Sequence, residues 1–266
     1  MKGLIVGIIG CGNMGSAIAR GMVDGGIVAC DSIFLYDKDI EKATQLAKET
    51  GCVQKDLSQL VQGSDFLVIA VKPQDFDALA GEIAGDIAEQ TIVSVMAGIS
   101  ISAITGKLGR EIPVVRAMPN MAAFVGESIT CISCNSMVKR AEEVKDIFSG
   151  IGMVLELNEK LLDGATAISG SGPAYLFYLA EAMIDAARDA GFDERAAKEM
   201  VVQTLYGSAA LLKSTGSSPE ELIKKVASKG GTTEKALSVF DEKGLKSHIK
   251  AAILKAKQRS EELSRG

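Results

Sequence analysis

Gly7-Ile8-Ile9-Gly10-Cys11-Gly12-Asn13-Met14-Gly15 is an apolar run that closes in the spacing Gly-x-Gly-x-x-Gly and passes directly into the amphipathic stretch Ser16 to Asp24. A strand, a glycine turn and a helix in that order lay a dinucleotide pyrophosphate across a helix N-terminus, where unpaired N–H groups and the helix dipole favour an anion. Each glycine has its own task. Gly10 permits the tight turn, Gly12 removes a side chain that would hold the backbone off the phosphates, and Gly15 lets the helix pack closely on the strand. The glycine triplet alone is a weak pattern; the strand before it and the helix after it favour nucleotide binding over a structural turn.

Beyond this loop, short β-rich runs alternate with helical patterns. Strands are expected at Leu4 to Ile9, Ser32 to Tyr36, Phe66 to Val71, Thr91 to Val95 and Pro113 to Ala117, with helices near 14–24, 39–50, 74–88 and 100–108. Runs such as FLVIAV are apolar without alternation, as a sheet covered by helices on both faces requires. A strand near 127–134, a helix near 138–149 and a strand from Met153 to Leu157 would extend the sheet. After about residue 160 the β-rich runs stop, and alanine, leucine, lysine and glutamate recur at helical spacing. The expected fold is therefore an α/β, Rossmann-type, doubly wound parallel sheet over residues 1–160, followed by an all-α domain over 161–266. Its first long helix should begin at Ser171-Gly172-Pro173 and stop at Gly191, with others near 193–214, 219–228, 232–242 and 245–264. The stripe Tyr175, Leu176, Leu179, Met183, Ile184 and Ala187 fits a buried central helix or a subunit interface equally well.

The bulk numbers exclude several classes. With 266 residues, 47% hydrophobic and 24% charged, the chain is long enough for about two domains and has the composition of a folded protein. No apolar run reaches the roughly 18–20 residues of a membrane span, and MKGLIVGIIG reads as the first strand rather than a leader. A net charge of -5, without a basic patch, argues against nucleic acid. Five scattered cysteines fit a reducing cytoplasm, and Cys131-x-x-Cys134 lies in a strand-like run with no second pair or histidine beside it, so neither a metal site nor a redox pair is expected. The single histidine, His248, sits in a lysine-rich helix, which disfavours a Ser-His-Asp triad.

Chemistry concentrates at strand ends. Asp37 follows the second strand, where a carboxylate can accept both ribose hydroxyls of the adenosine and would repel a 2'-phosphate; Lys38 could bind that phosphate if Asp37 turned away. Val71-Lys72-Pro73-Gln74, Val95-Met96-Ala97-Gly98 and Arg116-Ala117-Met118-Pro119-Asn120 end three further strands at the carboxyl edge, which suggests a cleft for the nicotinamide half. In the helical domain, Lys229-Gly230-Gly231-Thr232-Thr233 precedes a helix. It reads either as a second anion site, suited to a carboxylate, or as a helix cap with Thr232 at the N-cap.

Several stretches together then carry a specific resemblance. Pro219-Glu220-Glu221-Leu222, Val226 to Thr233, Ala236-Leu237 and Phe240-Asp241 closely resemble the signature of the pyrroline-5-carboxylate reductases. GCGNMG, AVKPQ, MAGIS, VRAMPN and SGSGPAY occur in that family's order over nearly the whole chain. The resemblance implies hydride transfer from NAD(P)H to the imine carbon of 1-pyrroline-5-carboxylate, giving L-proline in the last step of proline biosynthesis. It implies that Gly10, Gly12, Asn13, Met14 and Gly15 hold the pyrophosphate. Val71, Lys72 and Pro73, with Ala97 and Gly98 and with Met118, Pro119 and Asn120, would line the nicotinamide ribose and ring. Ser228, Gly230, Gly231, Thr232 and Thr233 would receive the substrate carboxylate, with the Thr233 hydroxyl near the imine nitrogen as the catalytic group. It further implies a homodimer through the helical domain, often assembled into a decamer. NADP(H) is the family's usual cofactor. Small polar or Asn-Arg type residues often follow its second strand and an asparagine often stands near position 57, where this chain has Asp37-Lys38 and Leu57, so NAD(H) is also expected to serve. A β-hydroxyacid dehydrogenase would carry a lysine on the helix from Ala174 to Ala190, which has none, and a non-catalytic nucleotide sensor would not be expected to keep the GGTT loop.

Overall fold

Phe66 and Val68 face one hydrophobic layer while Leu67 and Ile69 face another, so a single four-residue strand is buried on both sides. This explains why the run FLVI shows no alternation: helices cover both faces. The structure is a computed structural model and describes residues 3–265. Its strands are β1 (Val6–Ile9), β2 (Ile33–Tyr36), β3 (Val53–Gln54), β4 (Phe66–Ile69), β5 (Thr91–Ser94), β6 (Val114–Met118), β7 (Ser128–Cys134) and β8 (Gly152–Glu156). They form one sheet in the order β3-β2-β1-β4-β5-β6-β7-β8, which is the doubly wound arrangement with its switch point between β1 and β4.

The connecting helices are α1 (Asn13–Asp24), α2 (Ile40–Thr50), α3 (Leu57–Gly63), α4 (Phe76–Ile83), α5 (Ile101–Leu108) and α6 (Ala141–Ser149). One layer is filled by Ile18, Met22, Val144 and Phe148 from α1 and α6, the other by Leu60, Phe76, Ile83 and Ile104 from α3, α4 and α5. The sheet is parallel from β3 through to β6, but β7 runs antiparallel to β6. Only a short 3₁₀ segment, Met121–Val125, joins the two strands, and a parallel return would need a crossover of about a dozen residues or more. β3 and α3 are absent from the elements expected above. β3 has only two residues, too few to show a period.

The chain then continues through α7 (Leu162–Ala165), a π-helical turn (Thr166–Gly170), α8 (Gly172–Asp189), α9 (Glu194–Thr215), α10 (Pro219–Val226), α11 (Thr232–Glu242) and α12 (Leu245–Arg265). Their boundaries follow from local signals. Asp193 caps α9 by accepting Ala196 N–H, and Ser218 with Glu221 forms a reciprocal capping box at α10, with Pro219 in the first turn. Two compact units result: Met1–Ser171 with Ala256–Gly266, and Gly172–Lys255. The division falls later than residue 160 because Leu162 and Ala165 pack against Cys131 of β7, and Asp163 bonds Arg116 of β6. In the helical unit no residue of α8, α10 or α11 is buried, and α9 buries only Ala197 and Val201. The apolar stripe of α8 is therefore not the centre of a core within this chain.

Candidate functional site

The glycine loop shows three different constraints. Gly10 has φ +103° and a Cβ there would lie 2.7 Å from the Ala70 carbonyl; at Gly15 a Cβ would lie 1.9 Å from the Gly10 carbonyl oxygen. These two glycines are fixed by the turn and by helix–strand packing. A Cβ on Gly12 would meet nothing within 4 Å, so this glycine leaves open space in front of the helix. Gly12 is also the N-cap of α1, with no side chain capping the helix and no acidic residue in its first turn. Exposed Asn13 and half-buried Met14 follow. An uncapped helix N-terminus facing open space is suited to a pyrophosphate, so the residues present fit a dinucleotide.

Gly10, Gly12, Asp37, Lys38, Val71 and Lys72 line one cleft, at the C-terminal ends of β1, β2 and β4. The Asp37 carboxylate is tied to the glycine loop: Oδ2 accepts Cys11 N–H at 2.7 Å, and Oδ1 accepts Asp39 N–H at 2.9 Å. Lys38 lies 3.1 Å from Asp75, across the same cleft. Lys42 pairs with Asp39 at 3.2 Å, and its pKa is raised by that hydrogen bond, by the Asp39 charge and by Asp37. The Cys11 thiol is pushed up to about 12, first by burial and then by the charge of Asp37 and the neighbouring Cys52. It is therefore a neutral thiol at physiological pH, packed beneath the loop.

The remaining expected cofactor residues lie along the same carboxyl edge. Pro73 opens a 3₁₀ turn after β4; Ala97, exposed, and Gly98, buried, follow β5; Met118, Pro119 and Asn120 end β6. Asn120 has its side chain engaged within the protein: its carbonyl accepts Ala122 N–H at 3.0 Å and its amide donates to the Ser169 carbonyl at 3.1 Å. It braces the end of β6 against the π-helical turn. A Cβ on Gly170 would lie 2.8 Å from the Met118 methyl group.

Sequence reasoning missed the cluster behind this edge. Arg116, 4% exposed, donates to Asp163 at 3.0 Å and lies 3.8 Å from Glu159. The same Asp163 oxygen accepts Ser260 and Ser264 hydroxyls, each at 2.9 Å, while Glu159 accepts Ile101 N–H at the start of α5. Burial raises the Asp163 pKa most, but hydrogen bonds from Arg116, Ser260 and Ser264 together with the Arg116 charge outweigh it, and the net shift is downward. An arginine inside the apolar run VVRAM was the available signal, since a buried charge requires a partner. Cys131 and Cys134, three apart on β7, project to opposite faces of the strand and do not form a joint site.

In the helical unit, Ser228 to Thr233 joins α10 to α11. Gly231 N–H bonds the Ser228 carbonyl at 3.0 Å, Gly230 has φ +73°, and a Cβ on Gly231 would lie 2.5 Å from the Ser228 hydroxyl. The positive φ of this tight turn requires Gly230, and Gly231 leaves room for the Ser228 hydroxyl against the backbone. The N-cap of α11 is Gly231, not Thr232, and no side chain caps the helix. Thr232 and Thr233 are its first two residues. Glu234 accepts Gly230 N–H at 2.7 Å, so one loop donor is already used.

This pair of sites agrees with relationships across the whole chain. Residues 159–263 match the family model described as pyrroline-5-carboxylate reductase dimerisation, and residues 5–98 match that described as NADP oxidoreductase, coenzyme F420-dependent. The pyrroline-5-carboxylate reductase of Mycobacterium tuberculosis is 36% identical, over 97% of this chain and 96% of that protein. A pyrroline-5-carboxylate reductase from Coxiella burnetii superposes with TM-score 0.91 at 29% identity, covering 97% of this chain and 98% of its own. The Plasmodium falciparum pyrroline carboxylate reductase with NADP bound superposes with TM-score 0.89 at 29% identity, covering 99% of each chain. With a glycine loop built for a dinucleotide and relatives of this identity spanning its length, the chain belongs to the pyrroline-5-carboxylate reductase family.

Proposed function

We propose that this NAD(P)H-dependent oxidoreductase reduces the C=N bond of 1-pyrroline-5-carboxylate to give L-proline, the last step of proline biosynthesis, with cofactor and substrate assigned to different units. The observation that carries the assignment is that α1 and α11 both begin behind a glycine N-cap with no capping side chain. The reaction needs two anion seats, for a pyrophosphate and for a carboxylate, and these two helix N-termini fit them.

In this reading Gly10, Gly12, Asn13, Met14 and Gly15 hold the pyrophosphate, and Asp37 with Lys38 borders the adenosine ribose. Val71, Lys72, Pro73, Ala97, Gly98, Met118 and Pro119 border the nicotinamide half, while Asn120 holds the end of β6 in place through Ser169. The bound cofactor supplies the hydride. The Ser228 hydroxyl and the N–H groups of Thr232 and Thr233 receive the substrate carboxylate, while Gly230 and Gly231, whose own N–H groups are bonded to Glu234 and to the Ser228 carbonyl, shape the turn that presents them. The protonated imine is already an electrophile, so the chain's work is alignment, exclusion of water and placement of the nitrogen. Thr233 does the last of these: its hydroxyl oxygen accepts the iminium N–H, which holds the proton on nitrogen while the C=N electron pair moves there and carbon gains hydride.

The region from residue 161 onward serves as substrate and dimerisation domain, the dimers assemble further into decamers, and the protein works in the cytoplasm. Among the described residues no helix is long and apolar enough to cross a membrane. The test is oxidation of reduced cofactor at 340 nm by purified protein, with and without 1-pyrroline-5-carboxylate. Substrate-dependent oxidation with proline as product is expected. Cofactor binding without turnover would instead identify a sensor.

A further inference from the structure

Asp37 is clamped in the orientation that faces the cleft. Its two carboxylate oxygens accept main-chain N–H groups from opposite sides, Cys11 of the glycine loop and Asp39 at the start of α2. Turning it away would strand the Cys11 N–H behind the loop, where a backbone donor needs a partner. Two of the three ammonium groups that line the cleft are engaged by carboxylates, Lys38 by Asp75 and Lys42 by Asp39; the third, Lys72, follows β4 rather than β2. Glu82 adds a further carboxylate to the cleft wall. A phosphate arriving here would meet a fixed like charge and would have to take Lys38 from Asp75. A ribose with free hydroxyls would find two acceptor oxygens, each with a lone pair to spare.

We propose that Asp37 sets the cofactor choice of this chain in favour of NADH over NADPH. The proposal rests on the cleft being the adenosine seat of the cofactor. The carboxylate discriminates at a single atom, the ribose 2'-oxygen: as a hydroxyl it donates to Asp37, and as a phosphate ester it brings up to two negative charges against it.

The test is calorimetric titration of the full-length protein, without substrate, using NADH, NADPH and NADH lacking the 2'-hydroxyl. NADH is expected to bind at least about tenfold more tightly than NADPH, and loss of the 2'-hydroxyl to weaken binding about tenfold. In Asp37→Ser the preference for NADH should shrink by at least about tenfold. Because that substitution also removes the acceptor for Cys11, the three-ligand comparison on unaltered protein decides the matter independently of how well the variant folds. NADPH binding as tightly as NADH would overturn the selectivity and leave the cofactor site standing. Binding of neither would overturn the site and the proposal together.

Discussion

Each residue of β4 is fully buried, whereas α8, which carries Tyr175, Leu176, Phe177, Tyr178 and Leu179 in succession, buries none of its residues. The sheet unit closes a hydrophobic layer on each face with its own helices. The helical unit leaves Phe177 63% and Tyr178 77% exposed, and Met200, Tyr206, Leu211 and Phe240 remain exposed as well. An exposed apolar surface of this extent marks an interface. The difference teaches that the two units cover their apolar surface by different means: one within itself, the other against a second copy, in keeping with its match to a dimerisation domain.

The largest expected effect separates these two modes. Phe148→Ala, in the closed core, should cost about 3–5 kcal/mol in thermal or denaturant unfolding. Phe177→Ala should leave the sheet unit's stability unchanged and act on the dimer, seen as a shift toward monomer in sedimentation; equal losses from both would break the comparison. Next, Gly15→Ala forces α1 away from β1 against the Gly10 carbonyl and should cost about 3 kcal/mol, with loss of cofactor binding by calorimetry. Thr233→Ala concerns only the helical unit's loop. It should lower kcat about 10- to 100-fold, roughly 1.4–2.7 kcal/mol of transition-state stabilisation, with folding and cofactor affinity unaltered; wild-type turnover would remove Thr233 from the mechanism.

The smallest effect is a pH dependence confined to the sheet unit. The folded Asp163 has a lowered pKa, so its contribution is fully present above the unfolded value of about 3.9 and is lost as pH falls through the folded value. Melting temperature should therefore fall on acidification below about pH 4, and less steeply in Asp163→Asn. Parallel curves for the two proteins would show that the Arg116 cluster does not govern acid stability.

Much of this was readable in the chain. The glycine loop, the strand from 66 to 69 and the five helices after Gly172 each carry a strong local signal: fixed glycine spacing, an unbroken apolar run, or caps such as Asp193 and Ser218 with Pro219. What was hidden has physical reasons. β3 is too short for a period, and β7 reverses direction because of the length of its connection. The place of Asp37 at the end of β2 was readable, but its clamp to Cys11, 26 positions earlier, depends on the chain between them folding back. The Asp163 cluster joins residues about a hundred positions apart, and no local pattern encodes such a contact. At Thr232 the local rule favoured a side-chain cap, yet the tight turn at Gly230 places Gly231 at the helix end.

The central claim, that the sheet unit covers its apolar surface within itself while the helical unit covers its own against a second copy, is tested most directly by native-state hydrogen exchange on the wild type and on Phe177→Glu. The account predicts that the variant is monomeric, that amides of α8 and α9 lose protection, and that β1, β4 and β5 keep theirs. Unchanged protection in α8 and α9, or an equal loss in both units, would contradict it.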